Sequence, residues 1–159
     1  MAEPLDVRLF LSWAHRDQTL KDDLVRRLTP NLKSLRGLRV TWWEDSHLPL
    51  GKDLGAEIAG ELDRCDYGVL LLSPSYVTSP FVLKYELPRF VGPAADKGAL
   101  PVALRPVKMD GSRELHGLEK TMNFHYREKA FSQLGGWRDD FAAELATRIL
   151  HRVRHDREG

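Results

Sequence analysis

The chain has 159 residues, with 24 basic against 23 acidic side chains, a formal net charge of +1 and a hydrophobic fraction of 42%. That length suits one domain, and so even a charge balance gives no electrostatic reason for a nucleic-acid or membrane-surface partner. The single cysteine, Cys65, rules out an internal disulfide and leaves a metal without a thiolate pair; it is expected as a small buried apolar side chain. No apolar run approaches the roughly 18 residues of a membrane span, and no basic segment followed by an apolar core opens the chain, so a soluble, cytoplasmic protein is expected.

In chain order, residues 7–11 form a short apolar run closed by a polar cluster at residues 12–17, the pattern of a buried strand ending in a loop. Leu20, Leu24, Val25 and Leu28 then fall at helical spacing until Pro30 interrupts it. Residues 38–43 are strand-like in their β-branched and aromatic content. A polar turn with Pro49 and Gly51 leads to Leu54, Ile58 and Leu62 on one face of a second helix. Residues 67–72 are apolar on both faces, as in a parallel sheet covered on both sides. After Ser79 and Pro80 a helix is expected over residues 81–90, with Pro80 in its first turn and Pro88 distorting its end. Residues 100–104 make a fourth strand and residues 123–126 a weak fifth. Trp137, Phe141, Leu145, Ile149 and Val153 mark a closing helix.

Strands alternating with helices imply an α/β fold with a doubly wound sheet, in which ligands sit beyond the carboxyl ends of the strands. Three polar loops follow strand ends here: residues 12–17, 44–52 and 73–80. The six histidines have no metal-ligand spacing, and no metal is expected. Neither GxGxxG nor a P-loop is present, which removes sequence support for hydride transfer or triphosphate hydrolysis.

The same three loops carry a family resemblance. Phe10-Leu11-Ser12-Trp13-Ala14-His15-Arg16-Asp17 resembles the first signature of Toll/interleukin-1 receptor (TIR) domains. Trp42-Trp43-Glu44-Asp45-Ser46-His47-Leu48-Pro49-Leu50-Gly51-Lys52-Asp53-Leu54 is similar to the second, the BB loop. Leu71-Leu72-Ser73-Pro74-Ser75-Tyr76-Val77-Thr78-Ser79-Pro80-Phe81, followed by Tyr85-Glu86-Leu87, looks like the third, which holds the catalytic glutamate of NAD-cleaving members. The bacterial type is the nearest in pattern. Two positions depart from it. Phe81 precedes Glu86 by five residues where many members have Trp-x-x-x-Glu, and Glu44 stands where the BB loop usually has Asp.

The resemblance implies a flavodoxin-like three-layer sandwich: a five-stranded parallel sheet of order 2-1-3-4-5 with helices on both faces. The domain would span residues 6–155, with tails at 1–5 and 156–159, the second a possible linker to a further domain. It further implies an NAD+ glycohydrolase activated by assembly, of the kind used in prokaryotic immunity, with NAD+ as substrate and no cofactor. Glu86 would be catalytic. Ser12, Trp13, Arg16, Trp43, Ser73, Phe81 and Tyr85 would bind substrate, and Asp45, Ser46, His47, Leu48, Pro49, Leu50 and Gly51 would pack on a neighbouring copy. A sensor protein, fused or separate, is the expected partner.

The chemistry needs only one acid. Nicotinamide leaves as a neutral molecule, so nothing must protonate it, in contrast to the two carboxylates of ordinary glycoside hydrolysis. One anion beside the ribose supports the oxocarbenium-like state. Water capture yields ADP-ribose, and an internal nucleophile yields a cyclic isomer. Aromatic side chains suit the flat bases, and backbone amides near Ser12 and Ser73, with Arg16, suit the pyrophosphate. The competing readings are a non-catalytic TIR–TIR adaptor, a receiver-like module, which would need an Asp after the third strand, and a nucleoside 2-deoxyribosyltransferase.

Overall fold

The computed structural model describes residues 3–44 and 50–158. Four strands, β1 (Leu5–Ser12), β2 (Leu38–Trp43), β3 (Tyr67–Leu72) and β4 (Gly98–Ala103), form a parallel sheet in the order β2-β1-β3-β4. Helices α1 (Gln18–Lys33) and α4 (Arg138–Glu158) cover one face; α2 (Leu54–Arg64) and the single turn α3 (Pro74–Val77) cover the other. Successive strand residues point to opposite faces, and the two cores divide accordingly. Leu9, Leu11, Val69 and Leu71 pack with α1 and α4, while Phe10, Leu70 and Leu72 pack with Ile58 and Leu62 of α2. This is why β3 reads as a continuous apolar run: both of its faces are covered. Among the described residues no helix is long and apolar enough to cross a membrane.

The expected fifth strand is not formed, so the sheet has four strands rather than five. Phe124 alone bridges Val102, donating its N–H to the Pro101 carbonyl at 2.8 Å and accepting from the Ala103 N–H at 2.9 Å. Two features stop the ladder there. Pro101, whose carbonyl faces this edge, has no N–H to donate to a residue before Phe124. On the other side Arg127 and Glu128 take left-handed backbone angles, φ 53° and 63°, and fold the chain back so that Tyr126 pairs with Lys129.

Pro30 also fails to end α1, which continues to Lys33. Leu28 and Leu32 are both buried on either side of it, so core packing offsets the lost hydrogen bond. Nearby, Thr29 Oγ1 donates to the Val25 carbonyl at 2.7 Å and Asn31 Nδ2 to the Arg27 carbonyl at 2.9 Å.

Close packing across β3 leaves no room at Gly68, where an added Cβ would stand 2.4 Å from the Phe90 ring. At the amino end of the sheet the Tyr67 hydroxyl donates to Asp156 at 2.6 Å, and Arg152 pairs with the same carboxylate at 2.9 Å. Burial and then this bond push the Tyr67 phenol up to about 12. The Tyr67 bond, ahead of Arg152, holds Asp156 below the ordinary carboxylate range.

Two outcomes are expected. Gly68→Ala should lose about 1–3 kcal/mol of stability in urea unfolding, the usual range for overpacking; an unchanged midpoint would mean that the Phe90 ring moves aside freely. For Asp156 the depressed value means stability that is present at neutral pH and is lost as pH falls through the folded-state value. The melting curves of wild type and Asp156→Asn should therefore differ near neutrality and converge below about pH 4, the unperturbed aspartate range.

Candidate active site

The carboxyl ends of β1 and β3 bring two serines, Ser12 and Ser73, into a layer with no solvent exposure. Ser73 is extended and caps α3, its Oγ accepting from the Tyr76 N–H at 3.0 Å. The same hydroxyl donates to Asp17, and Arg105, just past β4, pairs with the other Asp17 oxygen at 2.8 Å. Asp17 is only 2% exposed and thus joins the ends of three strands. The Ser12 hydroxyl faces a second carboxylate: it donates to Glu86 Oε1 at 2.6 Å and lies 2.7 Å from the Tyr76 hydroxyl. Glu86 is also 2% exposed, and a carboxylate so far from water persists only with hydrogen-bond donors.

Glu86 closes a π turn, Val82–Glu86, in which the Leu87 N–H reaches back five residues to the Val82 carbonyl. Pro88 accounts for the loosened winding, since it has no N–H and its ring would strike the Lys84 carbonyl in an α-helix. A π turn gives residues five apart nearly the angular offset that an α-helix gives residues four apart. The extra residue between Phe81 and Glu86 is absorbed in this way.

Beside these strand ends lies a cleft of about 520 Å³, with Trp13, His15 and Arg16 on one wall and Ser79, Pro80 and Phe81 on another. Trp13 is largely buried: its ring lies 4.9 Å from that of His15, Lys21 Nζ stands 4.3 Å from its centroid, and its indole N–H has no hydrogen-bond partner among the described residues. Lys21 also pairs with Glu44 at 2.8 Å, which ties the first loop to the root of the second.

The structure thus gathers Trp13, Arg16 and Phe81 around one cleft. Ser12, Ser73 and Glu86 are buried at the adjoining strand ends and are not on its walls. Tyr85 packs on Phe81 with ring centroids 5.0 Å apart and reaches α2, where its Cε1 would lie 3.4 Å from a Cβ at Gly55. Trp43 is half-buried on the α2 side of the sheet, stacked on Phe10 at 5.1 Å, while Trp42 packs toward α1 and α4. Leu50 is fully exposed, and Gly51 takes φ +84°, a conformation suited to glycine. Asp45, Ser46, His47, Leu48 and Pro49 lie outside the described residues.

Three residues of this layer escaped the sequence reading: Asp17, Tyr76 and Arg105. Asp17 and Tyr76 stand within the first and third signatures, whose letters assign them no role. Arg105 follows the fourth strand, and its place at a strand end is the signal that could have found it. Cys65, in contrast, is buried as expected, and burial pushes its thiol up to about 11, far from a reactive thiolate.

A 78-residue stretch, 49% of this chain, is 36% identical to a 2' cyclic ADP-D-ribose synthase of Bacteroides thetaiotaomicron. The chain covers 25% of that protein's length. Residues 9–135 match the TIR domain model, so the chain belongs to the TIR domain family, whose signatures its strand-end loops resemble.

Proposed function

We propose that this chain is an NAD+ nucleosidase that cleaves the nicotinamide–ribose bond, with Glu86 as the catalytic carboxylate. The observation that carries the reading is the burial of Glu86 beside the cleft, with its charge sustained by Ser12. A carboxylate removed from water attracts a developing cation far more strongly than an exposed one. The similarity to a 2' cyclic ADP-D-ribose synthase supports the same class of substrate and a cyclic product beside ADP-ribose.

In the reaction, nicotinamide departs with the bonding pair as a neutral molecule and leaves an oxocarbenium-like ribosyl group. Once the competent loop state admits the ribose to the strand-end layer, Glu86 bonds its hydroxyls and stabilises that cation; water or a hydroxyl within the substrate then captures it. Trp13 and Phe81 offer flat apolar surfaces for the bases, and the unpartnered indole N–H of Trp13 offers a donor. Arg16 supplies positive charge for the pyrophosphate. The loop from Asp45 to Gly51 packs on a neighbouring copy, and assembly selects the competent loop state. A role in prokaryotic immunity, under a sensor and in the cytoplasm, completes the reading.

Chromatography of NAD+ incubated with the chain fused to an oligomerising scaffold tests it. Wild type should release nicotinamide, and Glu86→Gln should release it roughly 100- to 1,000-fold more slowly, the scale for loss of one electrostatic stabiliser. Equal rates from the two, or no release from assembled wild type, would leave the adaptor reading standing. Arg16→Gln should raise KM several-fold with little change in kcat, as befits binding that is equal in ground and transition states; an unchanged KM removes Arg16 from the site.

A further inference from the structure

We propose that Tyr76 is a positioning residue for Glu86, acting through Ser12 as a two-hydroxyl chain that fixes the direction of the carboxylate. The inference rests on the proposed role of Glu86 and deepens it: Ser12 sustains the charge in that role, and Tyr76 has no part in it. Ser12 has one hydroxyl proton and gives it to Glu86 Oε1 at 2.6 Å. The 2.7 Å contact between Ser12 and Tyr76 must then be made by the tyrosine proton. The order is therefore fixed: Tyr76 donates to Ser12, and Ser12 donates to Glu86.

Both hydroxyls have no solvent exposure. The chain ends at Tyr76 without reaching water, so it cannot carry a proton in or out; what it can do is orient. The backbone supports the same conclusion. Ser12 is the last residue of β1, paired with Leu70 of β3, and Tyr76 lies in α3, capped by Ser73. These ties fix both backbones and full burial confines both side chains, so the two oxygens stand as a rigid support under a carboxylate that sits on an irregular π turn.

Burial, and after it the charge of Glu86, push the Tyr76 phenol well above its ordinary range, so it remains a donor at every working pH. Three charged groups, of this layer, of the turn and of α2, have partners of their own. Asp17 is held by Arg105 and Ser73, Lys84 lies over the Tyr85 ring, and Asp53 caps α2. A donor to the ionised form favours that form, and strengthening a donor by a second hydroxyl adds to the effect.

The test is a carbon-detected NMR titration of the Glu86 carboxyl in wild type, Tyr76→Phe and Ser12→Ala, in the full chain. Tyr76→Phe removes one oxygen and leaves the Ser12 donor in place. It should raise the Glu86 midpoint by about half a unit, and Ser12→Ala by more than one. Where NAD+ cleavage is measured, kcat of Tyr76→Phe should fall about tenfold with KM unchanged, and the acidic limb of the pH profile should move up with the titration.

A purely structural role would lower the melting temperature and leave the titration where it was; that result in both variants overturns the proposal. Should Ser12→Ala not fold, Ser12→Thr, which keeps the hydroxyl, should titrate like wild type beside a shifted Tyr76→Phe. The titration does not require turnover. Wild type that releases no nicotinamide would end the nucleosidase reading, whereas an unmoved midpoint in an active enzyme would end this one.

Discussion

Two carboxylates buried at the strand ends constrain everything around them. Removing an ionised group from water costs several kcal/mol unless donors replace the lost hydration. Asp17 is compensated by the Arg105 guanidinium and the Ser73 hydroxyl, and Glu86 is held by Ser12. The donors come from different elements: β1, the end of β3 and the segment after β4. Neither carboxylate can be satisfied until the sheet has assembled in its proper order, so the layer above the strands is specified by the topology beneath it. The strand ends supply backbone and side-chain donors that point the same way, which is the general reason such sheets carry sites there.

The contrast between the two acids is informative. Asp17 has a full countercharge, and so its field is largely cancelled. At Glu86 the Ser12 hydroxyl donates to one oxygen. A carboxylate paired with guanidinium offers a forming cation little, so under the proposed chemistry Asp17 is the fastening that holds the loops and Glu86 the acid that would stabilise the ribosyl cation.

Much of the frame is legible in the sequence because it rests on short-range regularities. Residues 67–72 are apolar throughout, since both faces of β3 are covered, and Leu54, Ile58 and Leu62 mark α2 by period alone. Where local rules misled, a non-local contact prevailed. Pro30 should have ended α1, but Leu28 and Leu32 on either side of it belong to the core. The fifth strand failed because Pro101 on the neighbouring strand lacks a donor, a fact about the partner and not about residues 123–126. Trp13, Arg16 and Phe81, which line one cleft, sit in or next to strand-end loops that the sequence marks as polar. Tyr76 carries no such mark for its contact, since its partner Ser12 is 64 positions away in the chain and no spacing rule reaches that far.

The five-residue interval from Phe81 to Glu86 joins these scales. On a regular helix the added residue would swing the glutamate about 100° from its place, away from Ser12. The π turn takes the insertion without moving either end, and Pro88 makes that turn the economical conformation by forbidding the α-helical alternative. Sequence, local winding and site are thus coupled at one point. A departure that counts against the motif when read as letters is, in three dimensions, compatible with a carboxylate placed beside the Ser12 hydroxyl.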